Sequence, residues 1–526
     1  MSRFVRSSKY RHVFGQSARK ECSIENVKVS SSAWDTNLIS ASGLYVSINW
    51  QASGGGAFAI LPAPSPFSAY TLPYKLPDII PLARGHSATV LDTAWSPFND
   101  SICVSAGEDG KALVWKVESS DFQDWGAEKW VPRDFDPVSR IAVSPRKIGQ
   151  VRFNPIASHV LATASGDYAV KLWDLESSDE AMITLKGHGD SVQDLTFNYT
   201  GTVIATTCRD RKLRLFDARA GADPIRVTDG HGGVKGSRLA WMGDKDRIAT
   251  TGFSKMSDRQ LAVWETGSLK NVVTTNIDQS AGVVMPFWSD NGVLFLAGKG
   301  DGNIRYYEYD ADNVHPLSEY KSSDPQRGMT FLPRRSLNVA ECEIGRAFKV
   351  SGSLIEPIAF IVPRKADSFQ SDIFPPAPSL EPALSATEYF AGKTAQPNLV
   401  DLDSGVITAA APTRPATVVP SEMPPPPTRE ASVSLQPTQP EAISMPPSRK
   451  PTEPVSPVVI SEPEPTQVIR SEVPASSRDD VDELKQENQR LRDELRESKA
   501  KIRNLEVQVE TMRANAQRAA KALQLE

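Results

Sequence analysis

Gly85-His86, then Val90-Leu91-Asp92-Thr93-Ala94-Trp95-Ser96-Pro97, then Ser105-Ala106-Gly107-Glu108-Asp109-Gly110, then Val114-Trp115-Lys116: this stretch decides the fold, because the chain says it again. A second copy reads Val151-Arg152-Phe153-Asn154-Pro155, Ala164-Ser165-Gly166-Asp167 and Lys171-Leu172-Trp173-Asp174. A third opens at Gly187-His188, turns at Cys208-Arg209-Asp210 and closes on Leu213-Arg214-Leu215-Phe216-Asp217. Gly-His early, Asp in a turn and Trp-Asp late, recurring every 40 to 60 residues or so, are the marks of WD-repeat propeller blades. Buried polar groups need partners, so a His before the first strand, an Asp in the turn and a Trp on the third strand are expected to brace one another inside one four-stranded sheet. That assigns structural roles to His86, Asp109, Trp115, Asp167, Trp173, His188 and Asp210. An unrelated β-sandwich with scattered Trp residues is the competing reading, and three recurrences in the same order weigh against it.

Working outward, Gly230-His231 through Val263-Trp264-Glu265 is a longer variant, which adds His231 and Trp264 to the bracing set. Gly298-Lys299-Gly300-Asp301-Gly302 and Ile304-Arg305-Tyr306-Tyr307-Glu308-Tyr309 repeat the turn-then-strand half, and Gly328 to about Val362 supplies a last blade. Upstream, Glu25-Asn26-Val27-Lys28-Val29 alternates. Leu44 to Trp50 and Ala57 to Leu61 flank a Gly54-Gly55-Gly56 turn, so residues 1 to about 80 read as a first blade without the relay. The count is seven blades, residues 1–362. Open sheet edges are a liability, so an early strand is expected to pair into the last blade and close the ring.

Residues 363–400 keep Phe369, Ile373, Phe374, Tyr389, Phe390 and Leu399 among prolines, which fits an extension packed on the propeller. From 401 to 477 Pro, Ser, Thr and Glu dominate; too little apolar surface remains to fold, and a disordered linker is expected. Within it Pro424-Pro425-Pro426-Pro427-Thr428-Arg429 fits Pro-x-x-Pro-x-Arg, a shape that docks SH3 domains through Pro424, Pro427 and Arg429, although Pro-rich segments also match it by chance. The tail, 479–526, carries heptads. Val481, Asn488, Leu495, Ile502 and Val509 fall at position a, and Leu484, Leu491 and Leu505 at d. Asp480, Glu487, Glu494 and Lys501 at g face Lys485, Arg492, Lys499 and Glu506 at e′, all of opposite sign in a parallel pairing. A parallel α-helical coiled coil follows, with Asn488 fixing register.

Composition narrows the function. A net charge of -5 and pI near 5.9 argue against a general nucleic-acid binder. The spread-out Cys22, Cys103, Cys208 and Cys342 suggest reduced thiols in the cytoplasm rather than a zinc site or disulfide framework. No apolar run reaches transmembrane length, the basic amino terminus has no apolar core behind it, and no catalytic set, cofactor loop or metal-ligand cluster stands out. The reading is a binding protein without cofactor, not an enzyme.

Three runs together resemble the coronin family, most nearly its fungal members: Lys9-Tyr10-Arg11-His12-Val13-Phe14-Gly15-Gln16, Ala52-Ser53-Gly54-Gly55-Gly56-Ala57-Phe58, and Thr251-Gly252-Phe253-Ser254-Lys255-Met256-Ser257-Asp258-Arg259-Gln260. Gly298 to Tyr306 and Pro325-Gln326-Arg327-Gly328-Met329 extend the match. Generic propellers lack these runs. The resemblance implies a seven-bladed propeller that binds filamentous actin at cortical patches of the actin cytoskeleton, a variable linker, and a coil that oligomerises and engages the actin-related protein 2/3 complex. Lys501-Ile502-Arg503-Asn504-Leu505-Glu506 resembles the family's trimer signature with Lys in place of its leading Arg, which costs the two-point fork to Glu506. A homotrimer is favoured, and Asn488 keeps a dimer open. Animal coronins place an Arg shortly before the first Trp-Asp; here Ser31 stands there, so that contact does not carry over. Arg11, Arg19, Lys20 and Lys28 are the substitute candidates for an acidic filament surface. The rival reading is a WD-repeat scaffold that binds peptides in trafficking or signalling.

Overall fold

The computed structural model describes residues 6–409, apart from 54–55, 124, 126, 128–129 and 365–367. Seven four-stranded antiparallel sheets follow one another in sequence, with first-to-last strands at 39–86, 90–142, 148–185, 192–229, 238–278, 284–320 and 328–361, blades 1 to 7. Each blade is covered on both faces by its neighbours, so its middle strands read as unbroken apolar runs rather than alternating ones. All six residues of Val160–Ser165 are buried, whereas Arg226–Asp229, the outermost strand of blade 4, has no buried residue. Between blades 2 and 3, Val104, Ala106 and Val114 meet Ile148, Val151, Leu161 and Trp173. Each large side chain so buried contributes roughly 1.5–3 kcal/mol.

Blade 7 has only three strands of its own. Phe14–Ser17 supplies the fourth, pairing antiparallel with Leu354–Ile361 from Phe14↔Ile361 to Ser17↔Ile358. Just before it, Tyr10 and Val13 are buried among Phe295, Tyr306 and Phe360, and the Tyr306 hydroxyl donates to Val13 O at 2.7 Å. The ring is therefore closed by an early strand. Glu25–Val29, read as a strand of blade 1, instead makes only isolated bridges, Glu25↔Lys75 and Val29↔Trp50, directly after Ile24↔Ile355 ties the chain to blade 7, along the seam between blades 7 and 1.

The bracing relay differs from the expected one in two ways. First, a hydroxyl stands at its centre. In blade 2, Trp115 Nε1 donates to Ser105 Oγ at 2.8 Å, and that oxygen lies 2.8 Å from His86 Nε2, while His86 Nδ1 is 3.0 Å from Asp109. With Asp109 accepting at Nδ1, the Ser105 hydroxyl donates to Nε2. Second, the relay is not contained in one sheet: His86 ends the outer strand Ala83–His86 of blade 1, so the relay stitches blade 1 to blade 2. Thr250 plays the same part between His231 (2.9 Å) and Trp264 (2.7 Å). In blade 3 Trp173 donates to Thr163 at 2.9 Å, but no His is present; Asp167 bonds Ser144 at 3.1 Å and also Ser165. In blade 4 His188 bonds Thr206 at 2.9 Å and faces Tyr168 O at 3.1 Å. Asp210 does not brace it. Arg214 claims that carboxylate with two bonds, 3.0 and 2.5 Å. Burial opposes ionisation of Asp210, yet Arg214 and the Gly189 N–H hold its carboxyl well below the usual range.

The extension crosses from blade 7 to blades 3 and 4. Ile373 and Phe374 are buried against Tyr10, Val13 and Cys342. The short helix Ala386–Phe390 starts from a capping box, Ser385 and Glu388 each bonding the other's backbone N–H. It buries Tyr389 beside Ile156, Phe197 and Phe216, with its hydroxyl on Gly201 O at 2.7 Å. Leu399–Val400 pairs with Ile407–Thr408, so ordered pairing continues past residue 400, where the linker was placed. The linker beyond 409, its SH3-type motif and the coiled-coil heptads lie outside the described residues. Among the described residues no helix is long and apolar enough to cross a membrane.

Candidate functional site

The first strands of the blades line a central channel of about 530 Å³. Charges from four successive blades alternate along it: Asp92–Arg152 at 2.8 Å, Arg152–Asp194 at 3.3 Å and Asp194–Arg238 at 3.1 Å. The two carboxylates also reach across blade boundaries, Asp92 accepting Val151 N–H at 3.0 Å and Asp194 accepting Leu239 N–H at 3.1 Å. Burial pushes the Asp92 carboxyl up and the Arg152 guanidinium pulls it back. Each charge is answered by its neighbour, the arrangement a buried ionic group requires. Among the described residues, no group of three or more His, Cys, Asp and Glu is placed to hold a metal ion.

Over one mouth of this channel lies the segment Ser30 to Asn37. It follows the Val29↔Trp50 bridge and touches blade after blade. Arg327 of the loop into blade 7 donates to Ser30 O at 2.6 Å, and Thr36 Oγ1 donates to Leu91 O of blade 2 at 2.6 Å. Arg238 of blade 5 holds Asp35 O and, at 2.9 Å, Asn37 Oδ1. Trp34 reaches blade 3: its Nε1 donates to Gly149 O at 3.0 Å, and Lys147 Nζ sits 4.0 Å over its ring. Position 149 has to be glycine, since a Cβ there would come within 2.5 Å of the indole. Lys299 of blade 6 meets Asp35 at 3.5 Å. One strap thus gathers the inner ends of most blades and presents Ser31, Ala33 and Asp35 outward.

The basic candidates lie on the approach to this strap. Lys20 pairs with Glu25 at 3.3 Å and stands 5.8 Å from the Tyr74 ring, Arg19 pairs with Glu21 at 3.4 Å, and Lys28 Nζ donates to Asp78 O at 2.8 Å. All three are exposed and share the outer seam of blades 7 and 1; Arg11, half-buried, is separated from them by the closing strand Phe14–Ser17. Ser31, at the position of the animal Arg, is tied by its N–H and hydroxyl to Gln51 Oε1 at 2.9 and 2.8 Å. Sequence reasoning missed the strap and the channel charges. The runs that carry the family resemblance contain Lys299 and Arg327, but nothing in their spacing says that they meet Trp34-Asp35.

Comparisons with known proteins agree with this architecture. A domain of unknown function, DUF1899, matches residues 3–67, the segment holding the closing strand and the strap; a WD domain, G-beta repeat, matches 80–116 and 180–217, and a type of WD40 repeat matches 355–397. The Coronin-like protein crn1 of Schizosaccharomyces pombe is 48% identical over 76% of this chain and 65% of its own length, and the Coronin-like protein of Saccharomyces cerevisiae 46% identical over 76% and 61%. The chain thus spans somewhat under two thirds of these two relatives. Coronin-A of Dictyostelium discoideum is 40% identical over 78% of this chain and 88% of its own length. Among solved structures, the WD40 domain of Toxoplasma gondii coronin superposes with a TM-score of 0.67 at 27% identity, covering 74% of this chain and 97% of that one.

Proposed function

The chain belongs to the coronin family, and from that premise we propose that it is an actin-filament binding and bundling protein of the cytoplasmic actin cytoskeleton, with cortical patches as its place. It is a binding scaffold rather than an enzyme, as coronins and WD-repeat propellers are. The propeller reads the filament through the seam of blades 7 and 1 and the strap beside it. The observation that carries this reading is the match to coronins across strap, propeller and extension, 40% identity over 88% of the Dictyostelium protein. Lys20 and Lys28 stand exposed on that seam, beside a strap anchored to six blades and therefore rigid enough to present a fixed surface.

The coil of 479–526 gathers three propellers, with two as the alternative. Modest single contacts then become avidity, because a tethered second site rebinds at high effective concentration. The linker, on the order of 50 Å root-mean-square for a flexible chain of its length, lets joined propellers reach neighbouring filaments. The coil's outer face recruits the actin-related protein 2/3 complex and regulates nucleation. An SH3 partner at Pro424 to Arg429 is a secondary proposal.

Filament cosedimentation over a salt series tests the reading. The full chain should pellet and bundle, and removal of 479–526 should leave a folded monomer that bundles much less. Lys20→Glu with Lys28→Glu should weaken pelleting without lowering the melting temperature. A full chain that stays in the supernatant at micromolar actin and low salt would transfer the case to the peptide-binding scaffold.

A further inference from the structure

Beside the strap is a pocket of about 420 Å³ bounded by Trp34, Asp35, Leu38, Lys299, Pro325 and Arg327. Its walls come from three places far apart in the chain: the first Trp-Asp, the Gly298–Tyr306 run and the Pro325–Met329 run. The latter two are among the stretches that separate this chain from generic propellers, and here they converge on one cavity.

The charge in it is unevenly answered. The Lys299 side chain is only 17% exposed, and its ion-pair partner is Asp35 at 3.5 Å, itself 51% exposed. That is longer than the roughly 2.7–2.9 Å of a charge-assisted hydrogen bond. Arg327 and Arg238 stand nearby, each already donating to the strap backbone. Burial pushes the Lys299 ammonium down to about 8, and the two guanidinia oppose the pull of Asp35. A largely desolvated ammonium with one loose partner is a poorly compensated buried charge. Asp35 shows which chemistry Lys299 accepts, a carboxylate, and Asp35 is exposed enough to leave. The apolar faces of Trp34, Leu38 and Pro325 provide room for the methylene stem of an incoming side chain.

We propose that this pocket receives an acidic side chain of the partner, an Asp or Glu carboxylate that takes Lys299 in exchange for Asp35. The proposal rests on the filament reading, which makes that partner the actin filament. Asp35 is then an internal competitor: it keeps Lys299 neutralised in the free protein and sets a threshold that a well-placed external carboxylate must exceed.

Cosedimentation of the full chain with actin filaments at low salt, using wild type, Lys299→Gln, Lys299→Arg and Asp35→Asn, tests it. Lys299→Gln should weaken binding on the order of tenfold and Lys299→Arg should retain most of it. Asp35→Asn should bind several-fold more tightly, because the competitor is gone while the Asp35 carbonyl still holds Arg238. A merely structural role would make Lys299→Gln and Asp35→Asn weaken binding together, and that result overturns the proposal. Should Lys299→Gln fail to fold, the sign of the Asp35→Asn effect decides alone. Wild type that pellets while both variants bind unchanged overturns the pocket and leaves the filament reading standing; wild type that does not pellet overturns both.

Discussion

Blades 2 and 6 anchor the same turn by opposite means. In each, an Asp between the second and third strands is gripped by a residue of the preceding blade. Asp109 is held by His86, whose other nitrogen continues through Ser105 to Trp115. Asp301 is held by Arg259, which also grips Asp278 through two bonds of 2.6 Å, and Arg305 closes on Asp278 from the other side at 2.7 Å. The task is identical and the cost structures differ. The relay holds one carboxylate, which keeps the Ser87 and Lys111 N–H donors if His86 is lost, whereas a cluster centred on a guanidinium 1% exposed deprives two carboxylates at once when its centre is removed. Arg259→Ala should therefore be the costliest of the bracing substitutions, about 3–5 kcal/mol in urea unfolding, with Arg259→Lys recovering only part, since Lys lacks the fork that spans Asp278 and Asp301. If Arg259→Ala costs no more than His86→Ala, the contrast between the two blades is wrong.

Blade 4 stands between them and sharpens the comparison. It has the His of one scheme and the Arg of the other, and Arg214 has taken the carboxylate that His188 would have used. Burial, with Arg214 adding to it, pushes His188 down to about 4. An unfolded His takes up its proton near 6.5. Between those values the unfolded chain binds more protons than the folded one, so stability falls as pH drops from about 6.5 to 4. At about 1.4 kcal/mol for each pH unit crossed, the loss from this one site approaches about 2 kcal/mol near pH 5. His188→Gln, which can still bond Thr206, should flatten that part of the stability profile. An unchanged acid limb would show that His188 is not charging on unfolding.

These cases also mark where the sequence could be read. His86, Trp115, Trp173, His188, His231 and Trp264 were legible because rare residue types recur in a fixed order. Ser105, Thr163, Thr206 and Thr250, through which they act, were not, since hydroxyl residues are common in strands and only the third dimension singles out four of them. Asp210 was misassigned because order along the chain cannot tell that Arg214, across the same turn, competes with His188. The need for a closing strand followed from the exposed edge of an open sheet. The path after it did not: Glu25–Val29 alternates like a strand, but the seam between blades 7 and 1 leaves room only for isolated bridges before the chain turns in over the channel. The Trp34–Gly149 contact spans 115 residues, and no local period encodes it. The candidate site was thus visible as family runs but not as a place.

The smallest test compares two tryptophans. Trp115 and Trp173 both donate an indole N–H to a strand hydroxyl, at 2.8 and 2.9 Å. Beyond Ser105 the relay continues to His86 and Asp109, while Thr163 passes its hydrogen only to Lys171 O at a long 3.4 Å. Replacing either Trp by Phe removes one donor and a little volume, roughly 1 kcal/mol for the hydrogen bond. If the members of a buried network strengthen one another, Trp115→Phe should exceed Trp173→Phe by a few tenths of a kcal/mol, and adding His86→Ala to Trp115→Phe should cost less than the sum of the two single changes. Equal losses for the two Phe variants, with strict additivity in the double, would mean that the relay is three separate hydrogen bonds sharing an address. The missing His of blade 3 would then need no compensation at all.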